Sequence, residues 1–227
     1  MDTFLKISLT VIPLLFAVVL HEIAHGYVAK RLGDPTASDA GRLTLNPIKH
    51  IDPFWTILLP ALLISSGSPI VFGGAKPVPV DPRYFKYPRR GMMWTALAGP
   101  ATNIILAIIS FLLFALLMFC LHYFVAQPDT TLDKILLITA TFFLLLLKNS
   151  VLINLVLAIV NLTPIPPLDG GRIVSGILPW QMAKHFMRLE RIGIFIVIAL
   201  LYFGILDRVI FFLINPILKL FETFFGF

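Results

Sequence analysis

Residues 11–25 read Val-Ile-Pro-Leu-Leu-Phe-Ala-Val-Val-Leu-His-Glu-Ile-Ala-His, so an apolar run leads directly into two histidines and a glutamate. The run is part of a longer apolar stretch over residues 4–20. Comparable apolar runs occupy residues 96–121, 135–147, 151–160 and 192–206. A helix needs about 20 apolar residues to cross the hydrocarbon of a bilayer. The chain is therefore predicted to be an all-α polytopic membrane protein with four to six transmembrane helices.

The overall composition agrees with a membrane protein. Hydrophobic residues make up 58% of the 227 residues and charged residues 13%, whereas soluble domains carry about 25% charged residues. The net charge of +6 would suit nucleic-acid binding, but the basic residues lie in loops between apolar runs, as is usual for cytoplasmic membrane loops. The expected partner is therefore the lipid bilayer and not nucleic acid. The length suits a single membrane-embedded domain over residues 1–227.

Lysine and arginine are concentrated in the stretches 30–50, 76–90 and 171–191, whereas residues 121–134 contain only Lys134. The positive-inside rule places the first three stretches in the cytoplasm and the fourth outside. The first helix then runs from the outside to the cytoplasm. A prokaryotic cytoplasmic membrane is the expected location, because no organelle-targeting segment is evident.

His21, Glu22 and His25 form the pattern His-Glu-x-x-His. Positions i and i+4 of a helix lie on one face, so both imidazoles can reach one metal ion. A bound zinc ion lowers the pKa of water from about 15.7 toward about 7, and the glutamate beside the first histidine can accept the proton. The pattern therefore predicts hydrolytic chemistry with one catalytic zinc ion as the cofactor.

The position of this pattern, directly after the apolar residues 11–20, adds to its weight. An ionisable side chain in the middle of a membrane costs about 2.5–3.5 kcal/mol, so such residues are usually functional. The alternative is that the histidines merely lie at the membrane surface. Nine residues separate His21 from Lys30, or about 14 Å along a helix, which predicts a metal on the cytoplasmic half of the membrane.

A catalytic zinc usually has three protein ligands and one open position. The candidate third ligand is Asp169, within the segment Asn-Leu-Thr-Pro-Ile-Pro-Pro-Leu-Asp-Gly-Gly at residues 161–171. The predicted topology brings this segment to the cytoplasmic end of a helix over residues 133–162, at a depth similar to that of His21. The alternative is a surface turn in which Asp169 caps the next helix.

Taken together, these motifs resemble the site-2 protease family of intramembrane zinc metalloproteases. Three stretches in the same order carry the resemblance: His21-Glu22-Ile23-Ala24-His25, Ala98-Gly99-Pro100-Ala101-Thr102-Asn103, and Asn161 through Gly171. The resemblance implies zinc ligation by His21, His25 and Asp169. It also implies that Glu22 is the general base and acid and that Asn161 has a polar role near the scissile bond. No stretch is long enough for a PDZ or CBS domain, so the chain resembles the compact form of the family.

The resemblance further implies that the substrates are transmembrane proteins, cleaved within or near their membrane segments. Asn103 is a candidate substrate-binding residue, because its amide could hydrogen-bond a substrate backbone. The same amide could instead join two helices, since polar residues commonly connect helices in membranes. Both roles stay open from the sequence.

The segment between the first two basic stretches is predicted to re-enter the membrane without crossing it. Its apolar piece, residues 53–65, is short and is broken by Pro53 and Pro60. Re-entrant or β-hairpin elements are therefore expected around residues 53–90. Residues 71–82 are predicted to be extended, either as an edge strand that pairs with a substrate or as a loop that covers the active site.

The main alternative function is transport of zinc or another metal ion, because polar ligands on transmembrane helices also form ion paths. Replacing Glu22 by Gln separates the two: it should abolish cleavage by a protease with zinc still bound, but impair flux or affinity in a transporter. A non-catalytic membrane scaffold would bind no stoichiometric zinc. The sequence leaves the oligomeric state and the identity of the substrate open.

Overall fold

The computed structural model describes residues 3–53, 58, 75–124 and 131–225. The regular elements in these ranges are all helical. The α-helices are α1 (Thr3–Arg31), α2 (Thr36–Asp39), α3 (Pro88–Phe124), α4 (Thr131–Leu162), α5 (Asp169–Ile177), α6 (Trp180–Phe186), α7 (Glu190–Tyr202) and α8 (Ile205–Phe225). Short 3-10 helices cover Pro47–His50, Pro82–Tyr84 and Met187–Leu189.

Three of these helices contain a stretch that is long and apolar enough to cross a membrane, namely Ile7–Arg31, Pro88–Tyr123 and Thr131–Leu162. The pair Trp180–Tyr202 and Ile205–Thr223 meets the same criterion together, although it bends by 67° at the junction. The described part of the chain thus provides three spans, or four if the bent pair crosses as one. The predicted all-α polytopic class is confirmed, and the count reaches the lower end of the predicted four to six helices only if the bent pair is one span.

The helix α3 is central, because it packs against α1, α4 and α5. Toward α8, a buried apolar cluster is formed by Phe114, Leu144, Val151 and Phe221. The rings of Phe114 and Phe221 meet edge to face with centroids 4.8 Å apart. Close packing of this kind holds membrane helices together where lipid is as apolar as the side chains. The packing fixes α3 between α1 and α5, which carry the predicted zinc ligands.

The proline-rich segment between α4 and α5 decides where Asp169 lies. Helix α4 ends at Leu162, because Pro164 disfavours helical geometry at the residue before it. Helix α5 then begins at Asp169 itself. Helix α7 supports this segment from the other side: a Cβ added to Gly193 would lie 1.5 Å from the Pro166 carbonyl oxygen, so the close approach requires glycine.

Residues 75–81, called the strap below, adopt neither helix nor strand. The Lys76 N–H donates a hydrogen bond of 2.9 Å to the His50 carbonyl oxygen at the start of the strap. The Asp81 N–H donates one of 2.7 Å to Oδ2 of the fully buried Asp34 at its end. Most of the re-entrant or β-hairpin elements expected around residues 53–90 would fall on residues that lie outside the described ranges.

Candidate metal centre

Three buried or nearly buried side chains converge between α1 and the start of α5. His21 Nε2 lies 3.0 Å from His25 Nε2, and Asp169 Oδ2 lies 3.2 Å from the first nitrogen and 3.3 Å from the second. The two imidazole rings stand nearly perpendicular, at 88°. The spacing of four residues on α1 places both rings on one face of the helix, and the first turn of α5 brings the carboxylate to them.

The geometry of the three atoms fits a metal ion. Tetrahedral zinc with ligands at about 2.0–2.1 Å holds neighbouring ligand atoms about 3.3 Å apart, close to the separations among His21, His25 and Asp169. Asp169 Oδ2 is buried and has no hydrogen-bond partner among the described residues, although both imidazoles are near. The nitrogens thus approach this oxygen without hydrogen-bond alignment, and an ion between them would satisfy all three atoms. Two imidazoles and a carboxylate are a usual donor set for catalytic zinc.

The outer nitrogen of each imidazole has a carbonyl-type partner. His21 Nδ1 lies 2.6 Å from Asn103 Oδ1, and His25 Nδ1 lies 2.6 Å from the Thr95 carbonyl oxygen. Both partners are oxygens that only accept, so each Nδ1 carries the proton and donates it. Each Nε2 is therefore left with a lone pair directed at the centre, which is the tautomer that metal binding requires.

The orientation of Asn103 is itself fixed by hydrogen bonds. Its side chain is fully buried, and its Nδ2 donates to Asn154 Oδ1 at 2.9 Å and to the Ala17 carbonyl oxygen at 3.2 Å. Asn154 in turn donates to the Ser150 carbonyl oxygen at 2.8 Å. The amide thus joins α3 to α1 and α4, which is the second of the two roles that the sequence left open for Asn103.

The helix α3 can approach the imidazoles this closely because Gly99 has no side chain. A Cβ at Gly99 would lie 2.5 Å from both His21 Cε1 and His25 Nε2. Those distances are far below van der Waals contact, so any larger residue would displace the imidazoles or the helix. The arrangement of the two imidazoles therefore requires glycine at position 99.

Glu22 faces the same cavity as the three candidate ligands. The cavity has a volume of about 170 Å³, and its lining includes Glu22, Val78, Met92, Asn161 and Arg172. Oε2 of Glu22 accepts a hydrogen bond of 2.8 Å from the Val78 N–H. The strap therefore lies over the cavity and contacts the glutamate directly, as expected for the covering-loop alternative.

Asn161 lines this cavity from the last turn of α4. Its Nδ2 donates to the Leu157 carbonyl oxygen of its own helix at 2.9 Å. This bond directs the amide group along the helix and leaves the residue at the cavity wall, on the side of the proline-rich segment. The predicted site residues His21, Glu22, His25, Asp169 and Asn161 are thus brought together, and Asn103 lies directly behind them.

Two participants were not identified from the sequence. Asn154 orients Asn103, and the Val78 backbone N–H holds Glu22. The signal for Asn154 is a lone amide in the apolar run 151–160, since a polar residue inside a membrane helix generally has a partner on a neighbouring helix. No sequence signal indicates the Val78 contact, because any residue except proline has a backbone N–H.

A model of peptidase family M50 matches residues 9–204, a range that includes both histidines, the glutamate and Asp169. The chain belongs to peptidase family M50. This M50 peptidase is 38% identical to the Bacillus subtilis (strain 168) protein named "Putative zinc metalloprotease YwhC", over 99% of its own length and 98% of that protein. The expected relationship to the compact site-2 proteases is thereby confirmed.

More distant relatives carry a similar name. The M50 peptidase is 29% identical to "Putative zinc metalloprotease Rip2" of Mycolicibacterium smegmatis, over 86% of its own length and 66% of that protein. It is 31% identical to the protein of that name from Mycobacterium tuberculosis (strain H37Rv), over 69% of its own length and 52% of that protein. No solved structure shows significant similarity. The M50 peptidase is accordingly an integral membrane zinc metalloprotease, and its family implies membrane-protein substrates.

Proposed function

We propose that this M50 peptidase hydrolyses peptide bonds within or near the transmembrane segments of membrane proteins. The single observation that carries the proposal is the buried cluster of His21, His25 and Asp169 beside Glu22, on a helix apolar enough to span a bilayer. A soluble protein would not reach a metal centre that lies within the membrane, whereas a membrane-embedded substrate can. The whole chain, residues 1–227, acts as one membrane-embedded domain.

His21, His25 and Asp169 would hold one zinc ion through their imidazole and carboxylate groups. When bound, zinc supplies Lewis acidity that makes water a nucleophile near neutral pH and polarises the scissile carbonyl group. Asn103 is a positioning residue in this proposal, because its buried amide reaches His21 and not the cavity. Thr95 has the same role toward His25 through its carbonyl oxygen.

Glu22 carries the proton. It accepts one proton from the attacking water as the carbon–oxygen bond forms, and it delivers a proton to the leaving nitrogen as the carbon–nitrogen bond breaks. The Val78 N–H holds Oε2 of Glu22, so the other carboxylate oxygen is available for the reaction. The strap thus orients the group that moves the proton.

Asn161 contacts the substrate near the scissile bond. Its place on the wall of the cavity, next to the segment that carries Asp169, supports this role. A transmembrane substrate must unwind locally before it enters, because the backbone of a membrane helix is hydrogen-bonded internally. Polar groups at the wall, such as the Asn161 amide, can replace some of the hydrogen bonds that the substrate loses.

The active site belongs to the cytoplasmic half of a prokaryotic cytoplasmic membrane. The basic residues Lys30 and Arg31 end α1, and Arg89 and Arg90 lie in the first turn of α3, so the positive-inside rule assigns these helix ends to the cytoplasm. A Ser38→Cys variant in a Cys120→Ser background tests this. A membrane-impermeant thiol reagent should label it in inverted vesicles but not in intact spheroplasts; the reverse labelling would contradict the assignment.

The decisive experiment uses the full chain purified in detergent, with its zinc quantified and a panel of single-pass membrane proteins as substrates. Glu22→Gln should abolish cleavage with zinc still bound, and Glu222→Gln, an exposed glutamate on α8, should change neither property. Asp169→Ala and His21→Ala should lose zinc, whereas His185→Ala, an exposed histidine, should keep it. Cleavage by Glu22→Gln or full zinc in Asp169→Ala would contradict the assigned roles. Zinc flux into vesicles without any cleavage would favour a transporter.

A further inference from the structure

A second cavity, separate from the metal centre, is lined by three basic side chains. It has a volume of about 370 Å³ and lies between the loop after α2 and the strap. Arg42, Lys49 and Lys76 line it together with Ala40, Ile48, Ile51 and Pro79. No described residue of the lining is acidic, so the described lining has three positive charges and no negative charge.

Arg42 is the unusual member of this group. Its side chain is only 8% exposed, and no carboxylate among the described residues lies within ion-pair distance of it. Its Nη2 donates to the carbonyl oxygens of Lys76 at 2.7 Å and Pro77 at 3.4 Å, while its buried Nε has no partner in the described part of the chain. Buried charges are normally paired, and the described residues supply this guanidinium with carbonyl oxygens but with no carboxylate.

The surroundings indicate what kind of molecule supplies the anion. The 3-10 helix Pro47–His50 packs against α1. Leu45, just before it, and Ile48, within it, are 65% and 73% exposed. Exposed apolar side chains next to lysines are typical of a segment that lies at a membrane interface, where the lysines reach the headgroups. Basic pockets at the cytoplasmic ends of membrane helices bind phosphate-containing lipid headgroups.

We propose that the cavity lined by Arg42, Lys49 and Lys76 binds the phosphate group of an anionic phospholipid. The bound phosphate carries one negative charge and so reduces the repulsion among the three cations. It also fixes the strap, because Arg42 donates to strap carbonyl oxygens and Lys76 is itself a strap residue. The Val78 N–H of the strap holds Glu22, so the lipid stabilises the orientation of the glutamate. This last step rests on the proposed function of Glu22, whereas the binding itself does not.

Hydrogen exchange of the strap amides tests the proposal directly. The full-length zinc-loaded protein in neutral detergent is mixed with short-chain phosphatidylglycerol, with phosphatidylcholine of the same chain length, or with inorganic phosphate. Phosphatidylglycerol should slow exchange over residues 75–81 about fivefold or more, and phosphatidylcholine should not. Equal protection by inorganic phosphate would support the same phosphate site with a free anion as its occupant. Protection by neither anion, or equal protection by phosphatidylcholine, would overturn the proposal.

Paired lysine variants locate the effect. Each lysine near an anionic surface changes binding about fivefold, so Lys49→Gln with Lys76→Gln should weaken phosphatidylglycerol binding about 25-fold. The control removes two exposed lysines elsewhere, Lys134→Gln with Lys184→Gln, and should keep the protection; equal loss in both pairs would overturn the proposal. The single Lys49→Gln variant serves if the double variant does not fold. Glu22→Gln should still be protected, which separates failure of this proposal from failure of the proposed protease mechanism.

Discussion

Nδ1 of His21 and Oδ1 of Asn103 lie 2.6 Å apart, in a part of the bundle where the asparagine has no exposed surface. The asparagine is held in turn by Asn154 on α4 and by the Ala17 carbonyl oxygen on α1. The Asn103 oxygen that accepts the hydrogen bond from His21 therefore cannot rotate away. It fixes the tautomer of His21 and the direction of its Nε2 at the same time.

Replacing Asn103 by Ala should weaken zinc binding by about 10–100-fold, the usual effect of losing a partner of a metal-bound histidine. Asn103→Asp should recover only part of the affinity, because a carboxylate oxygen still accepts from Nδ1 but cannot donate to Asn154 and the Ala17 carbonyl oxygen. Competition with a calibrated zinc chelator measures the affinity without reference to activity. Asn149→Ala is the matched control, because Asn149 also joins two membrane helices, donating to the Leu9 carbonyl oxygen at 3.1 Å, but does not contact the metal centre. Equal losses in both Ala variants would mean that Asn103 serves helix packing alone.

The steric role of Gly99 leads to a second prediction. Gly99→Ala should lower zinc occupancy, because the added methyl group would occupy the space of both imidazoles. Gly91→Ala is a control on the same helix, where the new methyl group would meet the ring of Phe85. It should lower the thermal stability and leave the zinc content unchanged. Zinc content by atomic absorption distinguishes the two, and full occupancy in Gly99→Ala would show that α3 can shift freely.

The sequence predicts the two histidines of the candidate metal centre because their spacing is local, whereas Asp169 had to be placed from the predicted topology. His21 and His25 share a helix face at any tertiary arrangement, and Pro164, Pro166 and Pro167 force the chain out of helix shortly before Asp169. Similar reasoning about apolar length predicts the membrane helices. These features depend on a few neighbouring residues, and the structure has them where the pattern indicates.

The partners of those ligands depend on the packing of three helices and could not be predicted. Whether Asn103 meets a substrate, a helix or a histidine depends on how closely α3 approaches α1, which Gly99 and the apolar cluster decide together. The hydrogen bond from Val78 to Glu22 is still less accessible to sequence reasoning, because it uses only a backbone group. The bend between α7 and α8 likewise has no counterpart in the apolar pattern, which continues through residues 192–206.

The anchoring of the strap by Asp34 gives a third prediction. Its buried carboxylate accepts hydrogen bonds from the Asp81 N–H and, through Oδ1, from the Thr36 N–H at 3.0 Å. Asp34→Ala would leave these donors unsatisfied, at about 1–3 kcal/mol each if they stay buried, so the strap should loosen. Hydrogen exchange over residues 75–81 should become faster while the zinc content stays constant. The exposed Asp39→Ala is the control and should exchange like the unmodified protein; unchanged exchange in Asp34→Ala would contradict the anchoring role.

Removal of the metal should lower the thermal stability of the protein, but the membrane helices should stay folded. A ligand present at 100 times its Kd stabilises the folded state by about 2.7 kcal/mol, which corresponds to a fall of about 5–10 °C in Tm for a chain of this size. The membrane helices should persist, because their backbone hydrogen bonds are internal and do not involve the metal. Thermal unfolding in detergent, followed by circular dichroism with and without a zinc chelator, measures both quantities. The chelator should have no effect on a His21→Ala, His25→Ala double variant, and an equal fall in that variant would place the stabilising zinc at a different site.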